Sequence, residues 1–138
     1  MELQVGVKIL LKNKDGKYLV ICRSVEKYPE VKGRWDIPGG RIIPGVSLVE
    51  NFKREIKEET ALEIIGEPTL MAAQDIFRIK GRHVVRLTYI GDATGEVFLD
   101  EENEEYKWLS LEEISRLDSL DIYLKEILEK FLIIESKH

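Results

Sequence analysis

Cysteine, histidine and proline are scarce in this chain. Its 138 residues include one cysteine, two histidines and four prolines. A single cysteine excludes a disulfide within the chain, and so few thiols and imidazoles leave no cluster for a soft metal. Cys22 lies in the apolar run YLVIC, which favours a buried side chain over a reactive thiol. We expect His83, just after a turn, to be a surface residue and not a catalytic one, and the last residue, His138, to be disordered.

Long apolar runs and an excess of positive charge are also missing. No stretch approaches the roughly 20 apolar residues of a membrane span, and the start MELQVGVKILLKNK lacks the pattern of a secretory signal. With 26 acidic and 21 basic residues the net charge is -5, which disfavours binding to nucleic acid polymers or anionic membranes. We therefore expect a cytoplasmic protein without either partner. With 43% apolar residues, the chain has material for one core, so residues 1–138 are expected to form a single domain.

The order of elements predicts an α/β layered fold. Val5 to Leu11 and Tyr18 to Arg23 are predicted strands joined by an Asp-Gly turn, and a long irregular loop follows them. Ser47 and Glu50 form the pattern of a capping box at the start of a helix predicted to end near Thr60. More strands and a terminal amphipathic helix follow, with a Ser-x-x-Glu helix start before it. This order predicts a mixed sheet between layers of helices, an α/β/α sandwich.

Three glutamates are crowded on the predicted helix directly after a glycine-rich turn. Glu55, Glu58 and Glu59 lie at i, i+3 and i+4, so their carboxylates share one strip of the helix and repel each other. On a helical wheel this strip adjoins the predicted core stripe of Val49, Phe52 and Ile56. A bound divalent cation would offset the repulsion.

The stretch from Pro38 to Leu62 resembles the signature of the Nudix hydrolases, Gly-x5-Glu-x7-Arg-Glu-aliphatic-x-Glu-Glu-x-Gly-aliphatic. Seven of its nine specified positions match, as does the preceding Trp-x-x-Pro-Gly-Gly; the matches are Gly40, Arg54, Glu55, Ile56, Glu58, Glu59 and Leu62. Val46 replaces a glutamate that supports the signature arginine, so Arg54 needs another acceptor, and Glu50 and Glu58 are nearest along the helix. Ala61 replaces a glycine at the helix end, where a left-handed conformation costs alanine roughly 1 kcal/mol.

The resemblance implies a Nudix fold and a metal-dependent hydrolase of phosphoric anhydride bonds. It implies that Glu55, Glu58 and Glu59, with the backbone carbonyl of Gly39, hold Mg²⁺ or Mn²⁺, and hard oxygen ligands suit both ions. Arg54 is expected to orient a glutamate. The general base stays open, because family members take it from the signature helix or from a later loop; the acidic run 100–105 could supply it, although an exposed charged loop is the favoured interpretation.

The resemblance further implies a substrate in which a nucleoside diphosphate is linked to another group. A nucleoside triphosphate cleaved to monophosphate and pyrophosphate is the first hypothesis. A nucleotide sugar or ADP-ribose is the enzymatic alternative, and a nucleotide-binding module without activity is the alternative from another class. A homodimer is a further expectation. Side chains of the loop could meet the substrate, with Trp35 favoured as packing; they are Arg23, Tyr28, Lys32, Arg34 and Trp35.

Overall fold

A mixed sheet of seven strands forms the centre of the described part of the chain. The structure is a computed structural model that describes the backbone of residues 1–136 and the side chains of residues 1–132. The strands are β1 (Glu2–Lys12), β2 (Tyr18–Arg23), β3 (Trp35–Asp36), β4 (Gly39–Arg41), β5 (Glu63–Ile76), β6 (Arg82–Thr94) and β7 (Asn103–Leu109). The helices are α1 (Leu48–Thr60), α2 (Leu111–Ser115) and α3 (Ile122–Ser136). His138 lies outside the described residues.

The sheet mixes one parallel pair with antiparallel pairs. Its main path runs β3-β2-β1-β6-β5, with β4 paired to β1 and β7 paired to β2. β1 and β6 are parallel along the whole length of β1, from Glu2 opposite Arg82 to Lys12 opposite Asp92. β2 pairs antiparallel with β1 beside the predicted Asp-Gly turn, where Gly16 has a φ of 76°. The predicted hairpin and mixed sheet are confirmed.

Helices cover both faces of the sheet, and the alternation of side chains along β1 explains how. Leu10 points into a cluster that includes Leu124 and Leu128 of α3. Ile9 and Leu11 point the other way, into a cluster that includes Ile56 of α1. Successive strand residues face opposite sides, so one strand supplies both cores. The layered α/β/α arrangement is therefore as predicted.

Helix α1 runs as predicted from Leu48 to Thr60, but two details differ. The Ser47 hydroxyl accepts the Glu50 N–H at 3.1 Å, but among the described residues the return bond that completes a capping box is found at α2, from the Ser110 N–H to the Glu113 side chain. The prediction that Val49 faces the core is wrong, since it is 45% exposed. Asn51 is buried instead, because its side chain bonds the backbone of the preceding loop, including the N–H of Ile43 at 2.9 Å.

Two other predictions from the loop and strand residues are confirmed. Cys22 is buried in the core, and burial raises the pKa of its thiol. Trp35 is also buried and packs in the same cluster, with the Lys107 ammonium 5.0 Å from the centre of its ring. None of the helices in the described part of the chain is long and apolar enough to cross a membrane.

Candidate active site

Two glycines bring the backbone of β4 against β1 and α1. Gly39 has a φ of 149°, and a Cβ there would collide with the Val7 carbonyl oxygen. A Cβ at Gly40 would lie 2.8 Å from the carboxyl carbon of Glu55. A side chain at Gly39 would push the turn away from the β1 backbone, and one at Gly40 would displace the Glu55 carboxylate, so the glycines allow the close approach of backbone and carboxylate.

Glu59 is turned inward, towards this glycine turn. It is only 9% exposed, and its Oε1 accepts the Gly39 N–H at 2.9 Å. Its pKa is raised to about 7, chiefly by burial; the charges of Glu55 and Asp100 contribute to the rise, whereas Lys8 and the Gly39 hydrogen bond oppose it. The carboxylate thus lies where negative charge is poorly compensated by the protein alone.

Glu55 lies beside Gly40 and is held by the signature arginine. The Arg54 Nη2 donates to the Glu55 Oε1 at 3.0 Å, and the Glu55 side chain is 20% exposed. Glu58, one turn along, has a 62% exposed side chain, and its Oε1 lies 3.9 Å from the Arg54 Nε. Arg54 thus has Glu55 and, more distantly, Glu58 as acceptors. The expectation for Glu50 is not met, because no hydrogen bond or ion pair joins Arg54 to Glu50.

The three glutamates share one strip of α1 but not one environment. Glu59 is buried, Glu55 is partly covered and Glu58 points into solvent. Within the residues that the structure describes, no three acidic, histidine or cysteine side chains are gathered closely enough to enclose a cation. Their oxygens match the ligand preference of Mg²⁺ and Mn²⁺, and the uncompensated charge at Glu59 is the kind that a cation offsets. The donor chemistry therefore fits a hard cation, although the carboxylates do not converge.

The helix ends at the second departure from the signature, as the sequence predicted. Ala61 takes the left-handed conformation, with a φ of 65°, and its N–H bonds the Lys57 carbonyl at 3.0 Å. The alanine therefore closes α1 in the geometry that glycine normally serves.

Of the acidic run 100–105, one residue reaches the site. The Asp100 N–H bonds the Glu59 carbonyl oxygen at 3.3 Å, and its side chain accepts from Asn103 at 3.0 Å. Others in the run contact the loop after β2 instead: Glu101 pairs with Lys27 at 3.2 Å. His83 lies on β6 and its Nε2 is 2.7 Å from Asp75 on β5, a contact within the sheet.

A small cavity opens beside Gly40. It measures about 140 Å³ and lies between β1, β4 and the β5–β6 turn. Its floor holds an ion-pair network that sequence analysis missed: Arg86 donates to Asp36 and to Asp121, each at 2.9 Å, and Lys8 pairs with Asp36 at 3.2 Å. Two signals were available. Arg86 shares the buried face of β6 with Val84 and Thr88, two positions away on either side, and Asp121 stands where a helix N-cap is expected.

The Arg86 network sets the ionisation of Asp36. Burial alone would raise the pKa of this carboxyl, but the charges of Arg86 and Lys8 and the Ile37 N–H outweigh burial and hold it below the usual value. Lys8 also donates to the Ile37 carbonyl at 3.1 Å, two residues before Gly39. The network therefore anchors the segment that carries the glycine turn.

Comparison with known proteins agrees with this architecture. A family model described as the NUDIX domain matches residues 2–131. The nucleoside triphosphatase NudI of Salmonella heidelberg (strain SL476) is 30% identical over 114 residues, which are 75% of this chain and 80% of the relative. The NudI of Escherichia coli O17:K52:H18 is 31% identical over the same fractions of the two chains.

The crystal structure of the MutT protein from Methanosarcina mazei Go1 superposes with a TM-score of 0.81 at 28% identity, covering 99% of this chain and 97% of that one. The E. coli ORF135 solution structure, at 23% identity, shares the fold, with a TM-score of 0.81 over 100% of this chain and 94% of that one. The family model spans the mixed sheet, the glycine turn and the glutamate strip, so the chain belongs to the NUDIX domain family.

Proposed function

We propose that this protein is a Mg²⁺- or Mn²⁺-dependent hydrolase that cleaves nucleoside triphosphates to monophosphate and pyrophosphate. The observation that carries the proposal is the buried Glu59 beside the Gly39–Gly40 turn, with Glu55 packed on Gly40 and the positively charged cavity next to it. The nucleoside triphosphatase relatives, at 30% and 31% identity, support the choice of substrate.

The glutamates are the proposed ligands of the cation. Glu55, Glu58 and Glu59 would hold it together with the Gly39 carbonyl, and a bound cation neutralises phosphate oxygens and lowers the pKa of coordinated water. Glu58 is exposed, whereas Glu59 is held by the Gly39 N–H. Arg54 orients Glu55 through its 3.0 Å contact and needs no contact with substrate for that role.

Groups around the Gly39–Gly40 turn are the candidates for the general base and for the positive charges that the reaction needs. Attack of water on a phosphoric anhydride requires a general base and cationic groups that balance the phosphate charge. Asp100, on the loop that bonds the Glu59 backbone, is the candidate base outside the helix, and Glu59 is the candidate within it. Arg23 and Lys8 line the cavity and are placed to balance charge on the substrate.

The test is a panel of substrates with purified protein. Each nucleoside triphosphate, a nucleotide sugar and ADP-ribose are incubated with Mg²⁺ or Mn²⁺, and products are separated by chromatography. We expect monophosphate and pyrophosphate from a triphosphate, no turnover in EDTA, and recovery when the cation is restored. Preferential cleavage of the sugar nucleotides would replace the substrate assignment, and binding without cleavage of any compound would favour a nucleotide-binding module.

Four further predictions accompany this function. We propose that residues 1–138 form one domain, that the protein is cytoplasmic, and that it forms a homodimer without binding nucleic acid polymers. Limited proteolysis, cell fractionation and sedimentation equilibrium check the first three in turn. A stable internal fragment, a membrane-bound pool or a monomer at micromolar concentration would each contradict the corresponding prediction.

A further inference from the structure

The cavity beside Gly40 holds more positive charge than its carboxylates neutralise. Five basic side chains line it: Lys8, Arg23, Arg41, Arg78 and Arg86. The two carboxylates in its lining belong to Asp36 and Asp121, and both are engaged by Arg86, with Lys8 as a second partner of Asp36. The excess lies in a chain whose net charge is -5, so it is a local feature of this pocket.

Three arginines account for the excess. Among the side chains of residues 1–132, no carboxylate lies within ion-pair distance of Arg23, Arg41 or Arg78. Arg23 and Arg78 instead lie over tyrosine rings, 4.8 Å from the centre of Tyr28 and 5.3 Å from that of Tyr123. Stacking on a ring face holds a guanidinium in place and leaves the N–H donors at its edge free.

Arg41 is held by a different contact. Its Nε donates to the Gln4 side chain at 3.0 Å, and its Nη1 lies 3.3 Å from where a Cβ of Gly6 would be. Both terminal nitrogens remain without an acceptor among the described residues, since Gln4 takes only the Nε proton.

We propose that this cationic pocket binds a compact anionic group of the substrate, a phosphate or carboxylate outside the scissile bond, through Arg41 and Arg78. The proposal rests on the hydrolase function above and names the residues that would select diphosphates whose attached group carries its own negative charge. A volume of about 140 Å³ is below the range of roughly 300–1,000 Å³ that is typical of sites for whole small molecules. Guanidinium groups bind phosphate and carboxylate through paired hydrogen bonds, so the pocket suits a single anionic group.

Two matched pairs of compounds test the proposal and distinguish the source of the anion. UTP and UDP differ by a terminal phosphate, and UDP-glucuronate and UDP-glucose differ by a carboxylate. For at least one pair we expect the more anionic member to have a KM about tenfold lower in the wild type. The Arg41→Gln, Arg78→Gln double variant should reduce that ratio to about one.

A charge-matched control separates the pocket from overall charge. Lys14→Gln combined with Arg116→Gln removes the same two charges at exposed positions on the β1–β2 turn and after α2, and should keep the tenfold ratio. The proposal is overturned if neither pair differs in the wild type, or if the ratio survives in the Arg41, Arg78 variant. Loss of the ratio in the control variant as well would also overturn it, because the effect would then be general.

A binding measurement distinguishes failure of the pocket proposal from failure of the hydrolase function. Inorganic pyrophosphate is titrated calorimetrically into wild type and both double variants in EDTA, where no cation contributes. We expect at least tenfold weaker binding only in the Arg41, Arg78 variant, even if no diphosphate is cleaved. Equal affinity in all three proteins would overturn the pocket assignment and leave the hydrolase assignment standing.

Discussion

Glu58 and Glu59 are neighbours in sequence with opposite surroundings, and both are proposed to be essential. Glu58→Gln and Glu59→Gln should each lower turnover at least about a hundredfold, a loss of about 2.7 kcal/mol of transition-state stabilisation, because each removes a charged ligand. In Glu59→Gln the amide oxygen can still accept the Gly39 N–H, so the turn should keep its position. Steady-state kinetics at saturating Mg²⁺ measure the effect, and circular dichroism checks the fold.

Glu63→Gln is a suitable control for both variants. Glu63 begins β5 at an exposed position and pairs with Lys57 at 3.5 Å, so its loss removes a carboxylate near the end of the same helix without touching the turn. Exposed pairs of this kind contribute little. Turnover in the control should remain within about twofold of wild type, and near-normal turnover in either Glu58→Gln or Glu59→Gln contradicts the ligand assignment.

Val46 is the other position that matters at the scale of single residues. Val46→Glu restores the glutamate of the family signature, yet Arg54 already has Glu55 at 3.0 Å and Glu58 at 3.9 Å. We therefore expect activity to be kept or raised less than about threefold, below the 1.5 to 3 kcal/mol of a fully sheltered charged hydrogen bond. A double-mutant cycle with Arg54→Ala measures the coupling. Equal loss of activity from Val46→Glu with and without Arg54 would show that the positions do not communicate.

At the scale of elements, the end of α1 depends on one residue in an uncommon conformation. Ala61→Gly should raise the free energy of unfolding by up to about 1 kcal/mol, because glycine takes the φ of 65° without the steric cost that alanine bears. Urea denaturation measures the change. Ala73→Gly in β5, an exposed strand position, is the control and should lower stability instead, since glycine has more freedom to lose there. A lower stability of Ala61→Gly would mean that the cap is not strained.

At the scale of the whole molecule, the network around Arg86 joins β1, β3, β6 and the start of α3. Asp36 has a pKa below its usual value in the folded protein, so its contribution to stability is present above the unfolded pKa of about 3.9 and is lost as the pH falls through the lower folded value. Asp36→Asn should therefore be less stable at pH 7 and lose less stability between about pH 5 and 3 than wild type does.

Urea unfolding at several pH values tests this, with Asp92→Asn as the control. Asp92 is an exposed carboxylate on β6 whose pair with Lys12 spans 3.8 Å, so its replacement should leave the pH profile close to wild type. Identical acid slopes for Asp36→Asn and wild type would show that Asp36 does not carry this part of the pH dependence.

Local patterns in the sequence determined most elements and the identity of the glutamate strip. The Asp-Gly turn, the Ser47 cap and the spacing of Glu55, Glu58 and Glu59 depend on neighbours within a few residues, and each was readable before any fold was known. The predicted partner of Arg54 was partly wrong because side-chain direction depends on what surrounds the helix.

Tertiary structure alone decided which of these residues are buried and what they face. Glu59 is inward and Glu58 outward because Gly39 and Gly40 bring β4 against one side of α1. The pairing of Arg86 with Asp36 and Asp121 joins residues separated by 50 and 35 positions, a distance at which no local pattern constrains a contact. The cationic pocket arises in the same way, since its arginines come from β2, β4, β6 and the β5–β6 turn and meet only when the sheet assembles.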